Sequence, residues 1–235
     1  MQLASHAITD PGPAGKRNDD AFHLDDAHGL YAVSDGLGRF KGADLASRTV
    51  VNAVVKAVLA GEPLAKAANT AARALDERAK GNAEVKDMAA TLTLLRISGG
   101  RFEGVHVGDS RAYLLRAKTL VQLTTDHSVA FEQYLAGAIT KDKIRRSRNQ
   151  SMLTRSVRAG RGFAATDPFG GEILPGDVFL LCTDGLWKEL LDEEIRELLS
   201  RPDPPKALAE AIHAAVVERH PIDNVTLVIA RTASS

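Results

Sequence analysis

TLTLLRISGGRFEGVHVGDSRAYLLR, residues 91–116, decides the fold class. Three short runs, TLTLLRI, FEGVHV and RAYLLR, are rich in β-branched and aromatic residues and are separated by turn residues. LVQLTT from Leu120 continues the series. Upstream lie two helical patterns. Val51, Val54, Val55, Val58 and Leu59 form an apolar stripe that Gly61 and Pro63 end, and Leu64, Ala67, Ala68, Ala71, Ala72 and Leu75 repeat it. Before these, Ala21 to Leu24 and Leu30 to Ser34 read as strands joined by the polar DDAHG. Downstream, residues 126–171 are rich in Arg, Lys, Ser and Asn with weak periodicity, and are expected to form a helical or irregular excursion. VFLLCT from Val178, helices near Glu193 to Ser200 and Pro205 to His220, and a last strand, NVTLVIA, complete the chain. Runs of strands and runs of helices, without strict alternation, predict mixed sheets with helices packed outside them.

Composition excludes several functions. With 235 residues, 44% hydrophobic and 26% charged, the chain reads as one ordinary globular domain that needs no disulfide or structural metal to hold its core. Thirty basic residues balance thirty acidic ones, which argues against a nucleic-acid-coating or membrane-surface protein. The first twenty residues lack the apolar run of a signal peptide, and no stretch reaches the roughly 18 apolar residues of a spanning helix. A cytoplasmic location is expected. The single Cys182 lies inside a strand pattern and reads as a small buried hydrophobe.

Aspartates stand at the ends of the apolar strands. Asp35 follows LYAVS, Asp109 follows GVHVG, Asp184 follows VFLLCT, Asp223 precedes NVTLVIA and Asp20 precedes AFHL. Taken singly, Asp35-Gly36 and Asp184-Gly185 also fit hairpin turns. Five carboxylates brought together at strand ends would repel unless a cation neutralised them. An oxygen-only set, with no Cys or His cluster nearby, favours Mg²⁺ or Mn²⁺ over Zn²⁺.

The strings RNDDAF (17–22), SDGLG with GADLAS (34–47), AATLTLL (89–95), VGDSRAYLL (107–115), LTTDHS (123–128), CTDGLW (182–187) and DNVTLV (223–228) occur in that order. In this respect the chain resembles the metal-dependent protein phosphatases of the 2C type. The resemblance implies an α+β fold, an αββα four-layer sandwich of two mostly antiparallel sheets flanked by helices. It implies one catalytic domain over residues 1–235 with a flap at about 126–171. It also implies two Mn²⁺ or Mg²⁺ ions held by Asp20, Asp35, the Gly36 carbonyl, Asp184 and Asp223, and a weaker third ion held by Asp109 with Asp184. Asp19 would reach the ions through bound water. Two such ions can orient and activate a bridging water for in-line attack on phosphorus. Asp35 and Asp184 are then catalytic, and the expected substrates are phosphoserine and phosphothreonine on proteins that a Ser/Thr kinase has modified. A pseudophosphatase, a regulatory binding module that keeps the fold without the chemistry, is the alternative from another class.

Two positions depart from the family pattern. Gly15 stands where an arginine usually grips the substrate phosphate, with Lys16 and Arg17 beside it. Arg17 is the expected substitute, against the reading of a solvated surface charge. Arg39-Phe40 stands where the family has Gly-His, which leaves the general acid to a metal-bound water or solvent and offers Arg39 as a phosphate contact. His127 is expected to bond backbone at the start of the flap, and Arg111 to serve as an ion-pair partner. The basic run KDKIRRSR (141–148) either attracts acidic phosphopeptides or forms a solvated face. A dinucleotide site at Gly36-x-Gly38-x-x-x-Gly42 fails because a second helix, not a strand, follows the first. A cysteine phosphatase fails because Lys188 stands where its arginine would be, and GPAGKR lacks the leading Gly and trailing Ser or Thr of a P-loop.

Overall fold

The computed structural model describes residues 2–13, 15–38, 40–161 and 164–233. Its elements run β1 (Leu3–Asp10), β2 (Asp20–Asp25), β3 (Leu30–Asp35), α1 (Ala43–Leu59), α2 (Leu64–Ala79), β4 (Ala89–Ala90), β5 (Leu92–Ser98), β6 (Arg101–Val107), β7 (Arg111–Arg116) and β8 (Thr119–Gln122). They continue with α3 (Val129–Leu135), a 3-10 helix (Lys141–Arg146), β9 (Val157–Arg158), β10 (Asp167–Glu172), β11 (Val178–Cys182), α4 (Asp184–Trp187), α5 (Asp192–Leu199), α6 (Pro205–Val217) and β12 (Val225–Thr232). One sheet has the order β1-β12-β11-β7-β8 and the other β10-β6-β5-β3-β2, and every pairing is antiparallel.

The central strands read as unbroken apolar runs because both faces are buried. In β11, Phe179 and Leu181 point into the space between the sheets, while Leu180 and Cys182 point toward α5 and α6. In β3, Tyr31 and Val33 meet the opposite sheet, while Leu30 and Ala32 pack under α1 and α2. Phe102 and Phe179 join the two sheets edge to face, with ring centroids 5.0 Å apart. The order of layers is thus helix, sheet, sheet, helix. The expected four-layer α+β sandwich is the observed one, and Cys182 is buried. No helix among the described residues is long and apolar enough to cross a membrane.

Three elements differ from the sequence reading. LASHAITD forms β1, an edge strand that is mostly half-buried, with Ala4 and Thr9 exposed. DPFGGE, inside the stretch expected to be irregular, forms β10, the edge of the second sheet, where a proline is tolerated because one side of the strand needs no partner. Residues 184–187 form a short helix. Neither Asp-Gly pair makes a hairpin turn: Gly36 bridges to Ala90, and Gly185 lies in that helix.

Truncating the inter-sheet ring tests this packing. Phe179→Ala should destabilise the protein by about 3–5 kcal/mol. Ile222→Ala, at a side chain 82% exposed, should stay within about 0.5 kcal/mol by urea denaturation.

Candidate metal centre

Antiparallel pairing gathers the aspartates at one end of the sandwich. Asp20 opens β2 directly opposite Asp35, the last residue of β3. Asp109 follows β6, Asp184 follows β11, and Asp223 precedes β12, whose Leu227 lies opposite Cys182. Carboxylate oxygens of Asp35, Asp109 and Asp184 lie within 4.8 Å of one another. Asp19, Asp35, Gly36, Asp109, Asp184 and Asp223 share the wall of a pocket of about 300 Å³. Asp20 sits behind that wall, buried, its Oδ2 accepting from the Thr183 hydroxyl at 2.8 Å.

Hydrogen bonds fix this geometry from outside the pocket. The Asp35 amide donates to Thr91 Oγ1 at 2.9 Å, and that hydroxyl shares a 2.6 Å bond with Ser110, next to Asp109. Trp187 Nε1 donates to the Asp109 carbonyl at 2.9 Å. Asn224 accepts from the Asp19 amide at 2.9 Å and donates to the carbonyls of Pro11 and Arg17. Two glycines permit the close approach. A Cβ on Gly36 would lie 2.1 Å from the Ala43 carbonyl oxygen, and one on Gly185 would lie 2.0 Å from that of Asn224.

Burial and mutual charge dominate the electrostatics. Desolvation, reinforced by Asp184 and Asp223, pushes the Asp20 carboxyl up to about 7 against two opposing hydroxyl bonds. Burial first and Asp184 second hold the carboxyls of Asp35 and Asp109 well above the usual range. Asp109 Oδ1 is buried without a hydrogen-bond partner. A buried acceptor left alone costs about 1–3 kcal/mol. Crowded hard oxygen donors, one of them orphaned, fit a divalent cation such as Mg²⁺ or Mn²⁺.

The remaining expected residues divide. Arg17 is 59% exposed and spans Asp19 (Nε to Oδ1, 3.0 Å) and Asp44 (2.8 Å), so its fork faces carboxylates at the rim. Arg39 lies outside the described residues. Phe40 lies under the Arg158 guanidinium, 4.9 Å from its ring centroid. Arg111 is an ion-pair partner: buried, it holds Asp126 with Nε and one terminal nitrogen at 2.9 and 2.6 Å and stacks 3.7 Å over Trp187. His127 bonds backbone at the corner as expected, its Nδ1 accepting from the Gly108 amide at 3.1 Å while Nε2 faces Asp167.

Sequence reasoning missed two cations. Lys16 lines the pocket with its Nζ 2.5 Å from Asp223 Oδ1. Lys188 contacts Asp184 Oδ2 and donates to Ser151 at 2.9 Å. A spacing of four residues along a helix was the available signal for the Asp184–Lys188 pair.

Comparison with known proteins shows the family. Residues 13–213 match the family described as protein phosphatase 2C. The chain is 31% identical to the serine/threonine protein phosphatase PstP of Mycobacterium tuberculosis over 236 residues, 98% of this chain and 45% of that protein, so it spans under half of that relative's length. It is 27% identical to the serine/threonine phosphatase stp of Listeria welshimeri, covering 94% of this chain and 92% of that one. The catalytic domain of PstP in complex with 2 manganese ions superposes with a TM-score of 0.87 at 28% identity, covering 99% of each chain.

The raised Asp20 carboxyl has a consequence for pH. A group at about 7 in the fold and 3.8 when unfolded keeps a proton in the fold that the unfolded chain has lost, so its contribution to stability falls as pH rises between those values. In chelator, Asp20→Asn should gain stability relative to the wild type across that window and level off above it. Urea denaturation at each pH reads the difference, and a flat difference would contradict the burial argument.

Proposed function

The chain belongs to the protein phosphatase 2C family, and on that premise we propose that it is a metal-dependent protein serine/threonine phosphatase. The observation that carries this reading is the convergence of four strand-end aspartates, Asp35, Asp109, Asp184 and Asp223, on one pocket, with the fifth, Asp20, buried behind it. Asp20, Asp35, the Gly36 carbonyl, Asp184 and Asp223 would hold two Mn²⁺ or Mg²⁺ ions, and Asp109 faces Asp184 from the other side. Asp19, fixed by Asn224 and Arg17, would bond water in their shell. Bound there, divalent ions supply an activated water and neutralise charge on the phosphoryl oxygens.

The chain's own residues do the rest. The buried carboxylates set where positive charge can gather, and the Thr91–Ser110 and Trp187 bonds keep them from relaxing apart. Arg17, the expected phosphate ligand, would have to leave Asp19 and Asp44 to reach a phosphate, whereas Lys16 already lines the pocket as a point charge. With a phenyl ring at residue 40, no imidazole serves the leaving alkoxide at that position, and its proton comes from solvent in the open pocket. The substrates are phosphorylated proteins, with a Ser/Thr kinase as the opposing enzyme, and the segment between β8 and β10, shorter than the expected 126–171 because Asp167–Glu172 joins the second sheet, is the flap that selects among them. The binding-module alternative has less support, because a non-catalytic fold gains nothing from keeping a repulsive cluster.

Hydrolysis of p-nitrophenyl phosphate and of a phosphothreonine peptide, each with Mn²⁺, Mg²⁺ or EDTA, tests the reading. Turnover should require metal. Asp184→Asn should lower kcat/KM by more than about 100-fold, beyond the 10–100-fold typical of residues that only support metal ligands. Metal-independent turnover, or none with any metal in a folded protein, would overturn it.

A further inference from the structure

Lys188 sets a cation against one of the carboxylates of the pocket. It lies on the first turn after α4, four residues beyond Asp184, so the helical path returns its side chain over that carboxylate. Its Nζ contacts Asp184 Oδ2, and its side chain is only 12% exposed. Ser151, from the segment covering this end of the molecule, accepts from the same nitrogen at 2.9 Å. Nζ lies over the Trp187 ring, 5.7 Å from its centroid. The charges acting on the ammonium are those of Asp184, Asp109 and Asp223.

Lys16 is the instructive contrast. It reaches Asp223 from a half-exposed position on the rim, 35% accessible, and can swing into solvent when another cation arrives. Lys188 is enclosed by Asp184, Ser151 and Trp187. Leaving would strand a buried carboxylate and a buried ammonium together, which is far more costly than separating a surface pair. The Asp184 carboxylate that Lys188 holds has oxygens within 4.8 Å of those of Asp109.

We propose that the Lys188 ammonium is a resident cation of the acidic cluster, holding the Asp184 carboxylate that a third divalent ion shared with Asp109 would need, so that the site takes two ions and not three. The inference rests on the metal-dependent reading above. Lys188 acts as a positioning residue: it fixes the charge and orientation of Asp184 from within the chain, at a place where other sites of oxygen ligands recruit a metal. A single charge on a tether replaces a double charge in exchange with solvent. The occupancy of that position is then independent of metal concentration.

Counting bound Mn²⁺ by calorimetry and by electron paramagnetic resonance tests this without reference to turnover. The wild type should bind two ions per chain, and Lys188→Arg, which keeps the charge, should also bind two. Lys188→Gln should gain one further, weaker ion per chain, and the gain should vanish in Lys188→Gln combined with Asp109→Asn. Three ions in the wild type would overturn the proposal whatever the variants do. Two ions in a folded Lys188→Gln protein would overturn it while leaving the metal-dependent reading intact. No bound Mn²⁺ in the wild type would overturn both.

Discussion

Mutual repulsion among buried carboxylates is the constraint on which this end of the molecule depends. Two unit negative charges 4.8 Å apart, the span that encloses the oxygens of Asp35, Asp109 and Asp184, repel by about 3 kcal/mol at an effective dielectric constant near 20. Nothing in apolar packing favours such an arrangement. It persists because each aspartate stands at the end of a strand, and the two sheets are fixed by three layers of core that cannot shift independently. The sandwich thus supplies the rigidity, and the strand ends supply the charge.

Cations complete the balance from three directions. Arg17 ties Asp19 to Asp44 at the rim, Lys16 meets Asp223, and Lys188 is enclosed against Asp184. Further out, Arg111 joins Asp126 to Trp187, whose indole nitrogen holds the Asp109 backbone. The centre is therefore continuous with the segment that begins at Asp126. A displacement of that segment is coupled to the position of Asp109 through two short polar contacts and one stacked pair. Under the proposed function, where catalysis is chiefly positioning and charge stabilisation, such coupling would tie that segment to the reacting geometry.

Much of the sandwich was legible in the sequence because its central strands are strongly apolar and its helices carry clean stripes. Leu64, Ala67, Ala68, Ala71, Ala72 and Leu75 are the buried residues of α2, as their spacing predicts. The edges were not legible. LASHAITD alternates weakly, as a half-covered strand does, and DPFGGE carries turn residues that only an edge can accept. Convergence of the aspartates followed from their places at strand ends, but the cations did not follow from anything so regular. Arg17 was expected at phosphate because it is the arginine beside the departed position, whereas local geometry gives it two carboxylates. Lys188 entered the sequence reading only as the residue standing where a cysteine phosphatase would have its arginine, and its contact with Asp184 follows from the helical turn that returns it there.

Under the proposed function the strand-end carboxylates hold divalent cations. Anomalous diffraction from crystals grown with Mn²⁺ addresses it most directly. The account predicts two strong peaks, both within coordinating distance of oxygens from Asp20, Asp35, Gly36, Asp184 and Asp223, with the Asp20 and Asp35 carboxylates turned toward them. Ordered carboxylates at millimolar Mn²⁺ with no peak among them, or peaks confined to the exposed acidic surface, would contradict it.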